Sequence, residues 1–231
     1  MRKVLISGAT GNVGMEIISS LCSIPHQLEL YAGVRNLEEG KEKLGRFSIK
    51  LIQFDFMDPR TYTPALEGCD LLFLLRPPQL SDVNLYFKPI LETCITERVK
   101  HIVFLSVQGV EKSKIIPHHK IERLIVDRKI SYTFLRPGYF MQNFTTTLRK
   151  DIVDNRMIYL PAGNAKFALI DVRDIGAAAA VILSHSVDHI NRSYELTGLE
   201  ELSFSEMAWI MSNVFQTKIK YKSPSIFSFF M

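Results

Sequence analysis

The hydrophobic pattern alternates between short continuous runs and helical spacing. Val4, Leu5 and Ile6 form an uninterrupted apolar run, the signature of a strand buried on both faces. Gly8, Gly11 and Gly14 follow at three-residue spacing, and Val13, Ile17, Ile18 and Leu21 then recur at helical spacing until Pro25 stops them. The same alternation predicts further strands at 28–34, 49–54, 71–75, 102–105 and 131–135. Between them it predicts a helix at 37–44, capped by Asn36 and ended by Gly45, and another at about 82–98, where Pro89 should cause a kink or break. A third helix should begin near His118 and run to about Arg128.

Strands that alternate with helices predict an α/β fold, here a doubly wound parallel sheet of strand order 3-2-1-4-5-6. Residues 1–150 read as a nucleotide-binding domain of the Rossmann type, and 151–231 as a small C-terminal substrate-covering region interleaved with that core. In the latter, residues 157–160 and 167–170 read as strand, turn and strand. Asp171 and Asp174 should cap an alanine-rich helix to about His185, whose small residues at 177–180 would pack closely on the sheet. A strand at 194–196, a helix at 205–215 and an apolar tail at 225–231 without an evident partner segment complete the chain.

The first twenty residues carry the strongest chemical signal. Strand, glycine turn and helix form a cradle for phosphate. Gly8 permits the tight turn, Gly11 lets backbone approach a pyrophosphate, and Gly14 lets helix and strand pack closely. Thr10, Asn12 and Val13 complete the turn.

Composition narrows the class without changing this reading. With 47% hydrophobic and 23% charged residues, the chain resembles ordinary soluble globular proteins. A net charge of +4 without a dense basic run gives no footprint for nucleic acid. No apolar stretch approaches the ~20 residues that span a bilayer, so no membrane partner is expected. Cys22, Cys69 and Cys94 are odd in number and scattered, which fits buried, reduced thiols in a cytoplasmic protein. The adjacent His118 and His119 point in different directions on a helix and lack a completing carboxylate cluster, so no metal site is expected.

The strand ends supply the remaining candidates. Arg35 ends the second strand, where an acid would hold the 2′-hydroxyl of NAD; an arginine suits the extra phosphate of NADP(H), although a solvated surface arginine is the alternative. Asp55, after the third strand, is a candidate for adenine contact or simply a helix cap. The fourth strand exits through Leu75 and Arg76 into Pro77-Pro78, an extended loop at the switch point of the sheet. Ser106, ending the fifth strand, can face a nicotinamide or a substrate. Tyr139, Phe140 and Asn143 are candidates for lining a substrate pocket, with core packing an equal alternative for the aromatics. His119 is a candidate substrate contact or proton donor.

The glycine spacing, and then the segments SGATGNVG, GVRN, FLLRPPQLSDV, HIVFLSVQGVE, HHKIE and YTFLRPGYFMQNF together, resemble the NmrA-like atypical short-chain dehydrogenase/reductases, in the style of bacterial NADPH-dependent quinone oxidoreductases. The resemblance implies a Rossmann fold and the cofactor NADP(H). It places Gly8, Thr10, Gly11, Asn12 and Val13 on the pyrophosphate and Arg35 on the 2′-phosphate. It also places Leu75 and Arg76 beside the cofactor, Lys120 on the nicotinamide ribose, and Tyr139 and Phe140 near the nicotinamide. Typical short-chain dehydrogenases carry a proton-donating tyrosine four residues before that lysine; here Ile116 stands there. The implied activity is hydride transfer to a quinone or similar conjugated carbonyl, with Lys120 the candidate catalytic residue. The other reading is a non-catalytic NADP(H)-binding redox sensor acting through a protein partner. The resemblance also implies several tens of further residues closing the substrate pocket, whereas this sequence stops seven residues past Pro224.

Overall fold

A computed structural model describes residues 1–230. In chain order the first elements are β1 (Arg2–Ile6), α1 (Asn12–Ser23), β2 (Leu28–Val34), α2 (Leu37–Leu44), β3 (Lys50–Gln53), α3 (Tyr62–Leu66) and β4 (Leu71–Leu75). There follow α4 (Val83–Thr96), β5 (His101–Leu105), α5 (Pro117–Asp127), β6 (Tyr132–Pro137), β7 (Tyr139–Phe140), α6 (Arg149–Asn155), β8 (Met157–Tyr159) and β9 (Lys166–Ile170). The last are α7 (Val172–Ser184), β10 (Arg192–Leu196), β11 (Glu201–Ser203), α8 (Phe204–Phe215), β12 (Lys220–Lys222) and α9 (Ile226–Phe230). The chain divides into two units: Met1–Pro137 with Val172–Leu196, and Gly138–Asp171 with the residues from Thr197 onward.

The first unit is built on a seven-stranded, wholly parallel sheet of order β10-β6-β5-β4-β1-β2-β3. The expected order 3-2-1-4-5-6 is therefore present, with one strand added. The short strand expected at 194–196 is this seventh strand: Tyr194 and Leu196 pair with Leu135 and Pro137 of β6. Parallel strands covered on both faces demand apolar residues throughout, and β4 (LLFLL) and β5 (HIVFL) supply them. Leu72, Leu74, Ile102 and Phe104 point into a core shared with Phe87, Ile90 and Leu91 of α4 and Ile121 and Ile125 of α5.

On the other face, α1 packs against α7, and Gly176 of α7 serves that contact. A Cβ on Gly176 would lie 2.7 Å from the backbone of Glu16 in α1, so here the two helices approach at backbone distance. Helix α4 runs through Pro89 without a break. The carbonyl that loses its N–H partner to this proline belongs to Leu85, which is exposed and can turn to water. Cys69 and Cys94 are buried free thiols, but Cys22 is exposed on α1, contrary to the expectation of burial.

His101, at the start of β5, is buried with both ring nitrogens engaged: Nδ1 meets Ser131 Oγ at 2.9 Å and Nε2 meets Thr133 Oγ1 at 2.8 Å. Thr133 Oγ1 donates its own proton to the His189 carbonyl, so it accepts from His101, which fixes the Nε2–H tautomer. Burial, with the charges of His189 and Arg2, pushes His101 from 6.5 down to about 4. His118 is lowered to about 4 by burial and by Arg76. A depressed histidine leaves the native state holding fewer protons than the unfolded chain, so stability is full above the unfolded pKa and falls as pH drops from about 6.5 to about 4. Urea unfolding across that window should show the loss, on the order of 2 kcal/mol per group. His101→Gln should remove part of the slope; an unchanged slope would contradict the assignment.

The second unit holds a three-stranded sheet, β11-β9-β7, and a parallel pair, β12-β8. The strands expected at 157–160 and 167–170 thus lie in different sheets. Their core is Leu148, Ile152, Ile158, Phe204, Met207, Ala208 and Ile219. Ser203 and Glu206 form a reciprocal capping box that starts α8. The apolar tail does have a partner: the Phe229 ring lies 5.9 Å from that of Tyr159. Met231, the last residue of the expected tail, lies outside the described residues.

Candidate functional site

The C-terminal edge of the parallel sheet gathers most of the candidates in the first unit. Beyond β1, Ser7 donates its N–H to the Phe73 carbonyl (3.0 Å) and accepts the Leu75 N–H on its hydroxyl (3.1 Å), which ties the ends of β1 and β4 together. Gly8 then takes φ +60°, and a Cβ there would lie 2.6 Å from Leu75 Cδ2. Only glycine meets both demands without strain. The chain turns back through a Gly11 N–H to Gly8 carbonyl bond of 3.0 Å and enters α1. A Cβ on Gly14 would lie 2.3 Å from the Gly8 carbonyl oxygen, so the helix start and the turn are in backbone contact.

Gly11 is the N-cap of α1 and no side chain caps the first turn, so its leading N–H groups are left without intrahelical acceptors. Thr10 is half-buried, Gly11 and Asn12 are exposed, and Val13 is turned into the core, so Val13 offers a ligand only its backbone. This donor set, with no side chain in the way, fits a pyrophosphate.

Arg35 follows β2 and is exposed. Beside it the Asn36 side chain accepts from the N–H groups of Glu38 and Glu39 and starts α2. Asp55, beyond β3, is half-buried; its Oδ1 accepts the Met57 N–H at 2.9 Å and its own N–H reaches Thr61 Oγ1 at 3.0 Å, so it also closes the local turn. Arg76 extends from β4. Its Nη1 donates to the carbonyls of Pro77 (3.1 Å), Pro78 (2.9 Å) and Leu80 (3.1 Å), and its Nε lies 3.4 Å from His118 Nε2. Ser106, after β5, is buried, and its hydroxyl has no hydrogen-bond partner among the described residues.

Helix α5 presents its histidines differently. His118 packs against the Phe104 ring (6.2 Å between centroids) and Arg76, whereas His119 turns its Nδ1 to the Val110 carbonyl at 3.2 Å. His119 and Lys120 line a cavity of about 500 Å³ bounded also by Ser81, Asp82, Arg123 and Asp127. Lys120 is exposed there, and none of the glycine-turn residues borders this cavity. Ile116 is the extended N-cap residue of α5, so the position of the usual acid holds hydrocarbon just outside the helix. Tyr132 stacks on Phe134 at 4.1 Å, as part of the core.

The other candidates belong to the second unit. Tyr139 packs among Phe144, Phe167 and Phe204, hydrogen-bonds Asn143, and has its hydroxyl pKa raised by burial. Phe140 is half-buried in β7 and pairs in register with Ile170.

Sequence reasoning missed two features. It weighed His119 above His118, yet His118 is the one that meets Arg76; the apolar face of α5 (Ile121, Ile125) was the available signal, because His118 stands seven residues before Ile125. It also passed over Arg136, whose Nε and Nη2 bind the buried Glu122 at 3.1 and 2.7 Å, with Glu111 and Glu195 at 3.8 and 3.9 Å from Nη1. Among the described residues no group of three metal-binding side chains occurs, and no helix is long and apolar enough to cross a membrane.

Known proteins resemble the chain over nearly its whole length. An NAD(P)H azoreductase of Xenophilus azovorans is 28% identical over 222 residues, spanning 94% of this chain and 76% of that protein. The Citrobacter triphenylmethane reductase, solved with NADP(H), superposes with a TM-score of 0.82 at 26% identity, covering 96% of this chain and 79% of that one. The NADPH-dependent quinone oxidoreductase QOR2 of Escherichia coli, solved with NADPH, gives a TM-score of 0.84 at 25% identity, with 96% and 78% covered. Residues 1–230 match the NmrA-like family, and the chain belongs to that family.

Proposed function

We propose that this chain binds NADP(H) along the C-terminal edge of the parallel sheet and passes hydride to a quinone or a similar conjugated carbonyl. The observation that carries the reading is the uncapped, Cβ-free glycine turn, with Arg35 at the end of the neighbouring strand. The turn from Gly8 to Gly14, with Thr10, Asn12 and Val13, holds the pyrophosphate on backbone N–H groups, and Arg35 holds the 2′-phosphate. Asp55 serves the adenine end, and Leu75, Arg76 and Ser106 serve the nicotinamide end. Lys120 is assigned to the nicotinamide ribose, and Tyr139 and Phe140 to the neighbourhood of the nicotinamide, by resemblance; Tyr139, Phe140, Asn143 and His119 are assigned to the acceptor from their places along the chain. A bound dihydronicotinamide supplies the hydride; the protein's share is to orient it and its acceptor.

The relatives reduce azo compounds, triphenylmethane dyes and quinones by name, all conjugated acceptors. That class suits a site in which Ile116 replaces the usual acid. A simple ketone becomes an alkoxide and needs a proton donor in the transition state, whereas a reduced quinone is a stabilised anion that can take its proton from water. NADPH oxidation with benzoquinone should therefore exceed that with cyclohexanone by roughly a hundredfold or more, the scale of general acid catalysis. Equal rates would mean that another residue supplies the proton, with His119 to be tested first as His119→Ala. Tight NADPH binding without turnover on any quinone would replace the enzyme with the redox sensor.

A further inference from the structure

Arg76 is a half-buried cation without a counter-charge: none of the ion pairs among the described residues includes it. Buried guanidinium groups are ordinarily matched by carboxylates. Here Nη1 is spread over the carbonyls of Pro77, Pro78 and Leu80, which orient the group without neutralising it. Nε faces His118, whose ring is neutral above about pH 4. Nη2 has no protein acceptor among the described residues. The guanidinium is thus held rigidly from one side with its charge and two N–H donors unspent.

Strand register brings a second unsatisfied donor to the same place. Leu75 pairs with Leu105 at the end of the β4–β5 ladder, so Arg76 and Ser106 occupy the next, abreast positions. The Ser106 N–H still bonds the Leu135 carbonyl at 2.7 Å, so the alternation of the strand continues and puts its hydroxyl on the face of Phe104. His118 packs against both Phe104 and Arg76, which places Arg76 on that face as well.

We propose that Arg76 and Ser106 together receive an acceptor oxygen that carries or gains negative charge, and so select the acceptor. The inference rests on the functional reading above. A neutral quinone that takes a hydride, one proton with two electrons, leaves with one negative charge on oxygen, where Arg76 Nη2 and the Ser106 hydroxyl can donate to it. A cationic triphenylmethane dye that takes the same hydride becomes neutral and has no such oxygen, and as a substrate it meets a like charge. The pair therefore separates two acceptor classes that relatives reduce.

Two measurements test this. The first needs no turnover: calorimetric binding of naphthoate and of naphthamide, its neutral counterpart, to wild type, Arg76→Met and Ser106→Ala in the presence of NADP. Wild type should bind the acid at least tenfold more tightly than the amide, Arg76→Met should erase that preference, and Ser106→Ala should reduce it. A wild type that binds the amide as tightly as the acid overturns the proposal, even if Arg76→Met proves unable to hold the loop after β4. The second measurement is the ratio of kcat/KM for benzoquinone to that for crystal violet, which should fall at least tenfold in Arg76→Met; an unchanged ratio also overturns it. Affinity for NADPH, measured in the same samples, separates the two levels. If NADPH does not bind, the functional reading fails, while the naphthoate comparison repeated without NADP still decides the role of Arg76.

Discussion

Gly14→Ala should destabilise the protein and abolish measurable NADPH binding, although the same exchange inside most helices stabilises by about 0.5–1 kcal/mol. The added Cβ would stand 2.3 Å from the Gly8 carbonyl oxygen and 2.8 Å from the Ala9 Cα. Both are backbone atoms of the turn, so no side chain can yield. Helix α1 must move off β1, with a cost of about 1–3 kcal/mol as for other overpacked sites, and the first-turn N–H groups move with it. Gly11→Ala separates binding from folding. Its Cβ would meet only the Gly8 carbonyl, at 3.3 Å, and otherwise points away from protein at an exposed position with φ −86°. Its melting temperature should stay near that of wild type while NADPH affinity falls, because the methyl group occupies the path by which pyrophosphate reaches the backbone. If Gly14→Ala bound NADPH normally, the cradle would be a structural turn only.

Arg35→Asp should weaken NADPH binding about tenfold or more and improve NADH relative to NADPH. A charge-assisted hydrogen bond contributes roughly 1.5–3 kcal/mol, and the aspartate adds repulsion toward the 2′-phosphate while offering an acceptor to a 2′-hydroxyl. Arg35 is exposed and lies outside the core, so melting temperature should barely change. Titration calorimetry with both cofactors reads the effect. An unaltered NADPH affinity would leave Arg35 as a solvated surface residue.

These two sites also mark how far the sequence was legible. The glycine turn and the strand ends could be read because their pattern is local: an apolar run, three glycines and a helical stripe dictate backbone that neighbouring residues cannot change. Strands β2 and β4 and helix α2 match their expected bounds for the same reason, each being closed by a cap or a change of period. What stayed hidden depends on distant partners. The membership of β10 in the main sheet is decided by pairing with β6, far away in sequence. Which of the two half-buried histidines meets Phe104 and Arg76 depends on how α5 lies on the sheet; the stripe of Ile121 and Ile125 marks the side of the helix but not the partners waiting there. The orphaned Ser106 hydroxyl and the uncompensated Arg76 are absences of partners, which no motif encodes.

The central claim, that the sheet edge binds NADP(H) in preference to NAD(H), is tested most directly by titrating wild-type protein with NADPH and with NADH under identical low-salt conditions. The account predicts that NADPH binds at least tenfold more tightly, as one charge-assisted contact from Arg35 to the 2′-phosphate requires. Equal affinity for the two cofactors, or tighter binding of NADH, would contradict it.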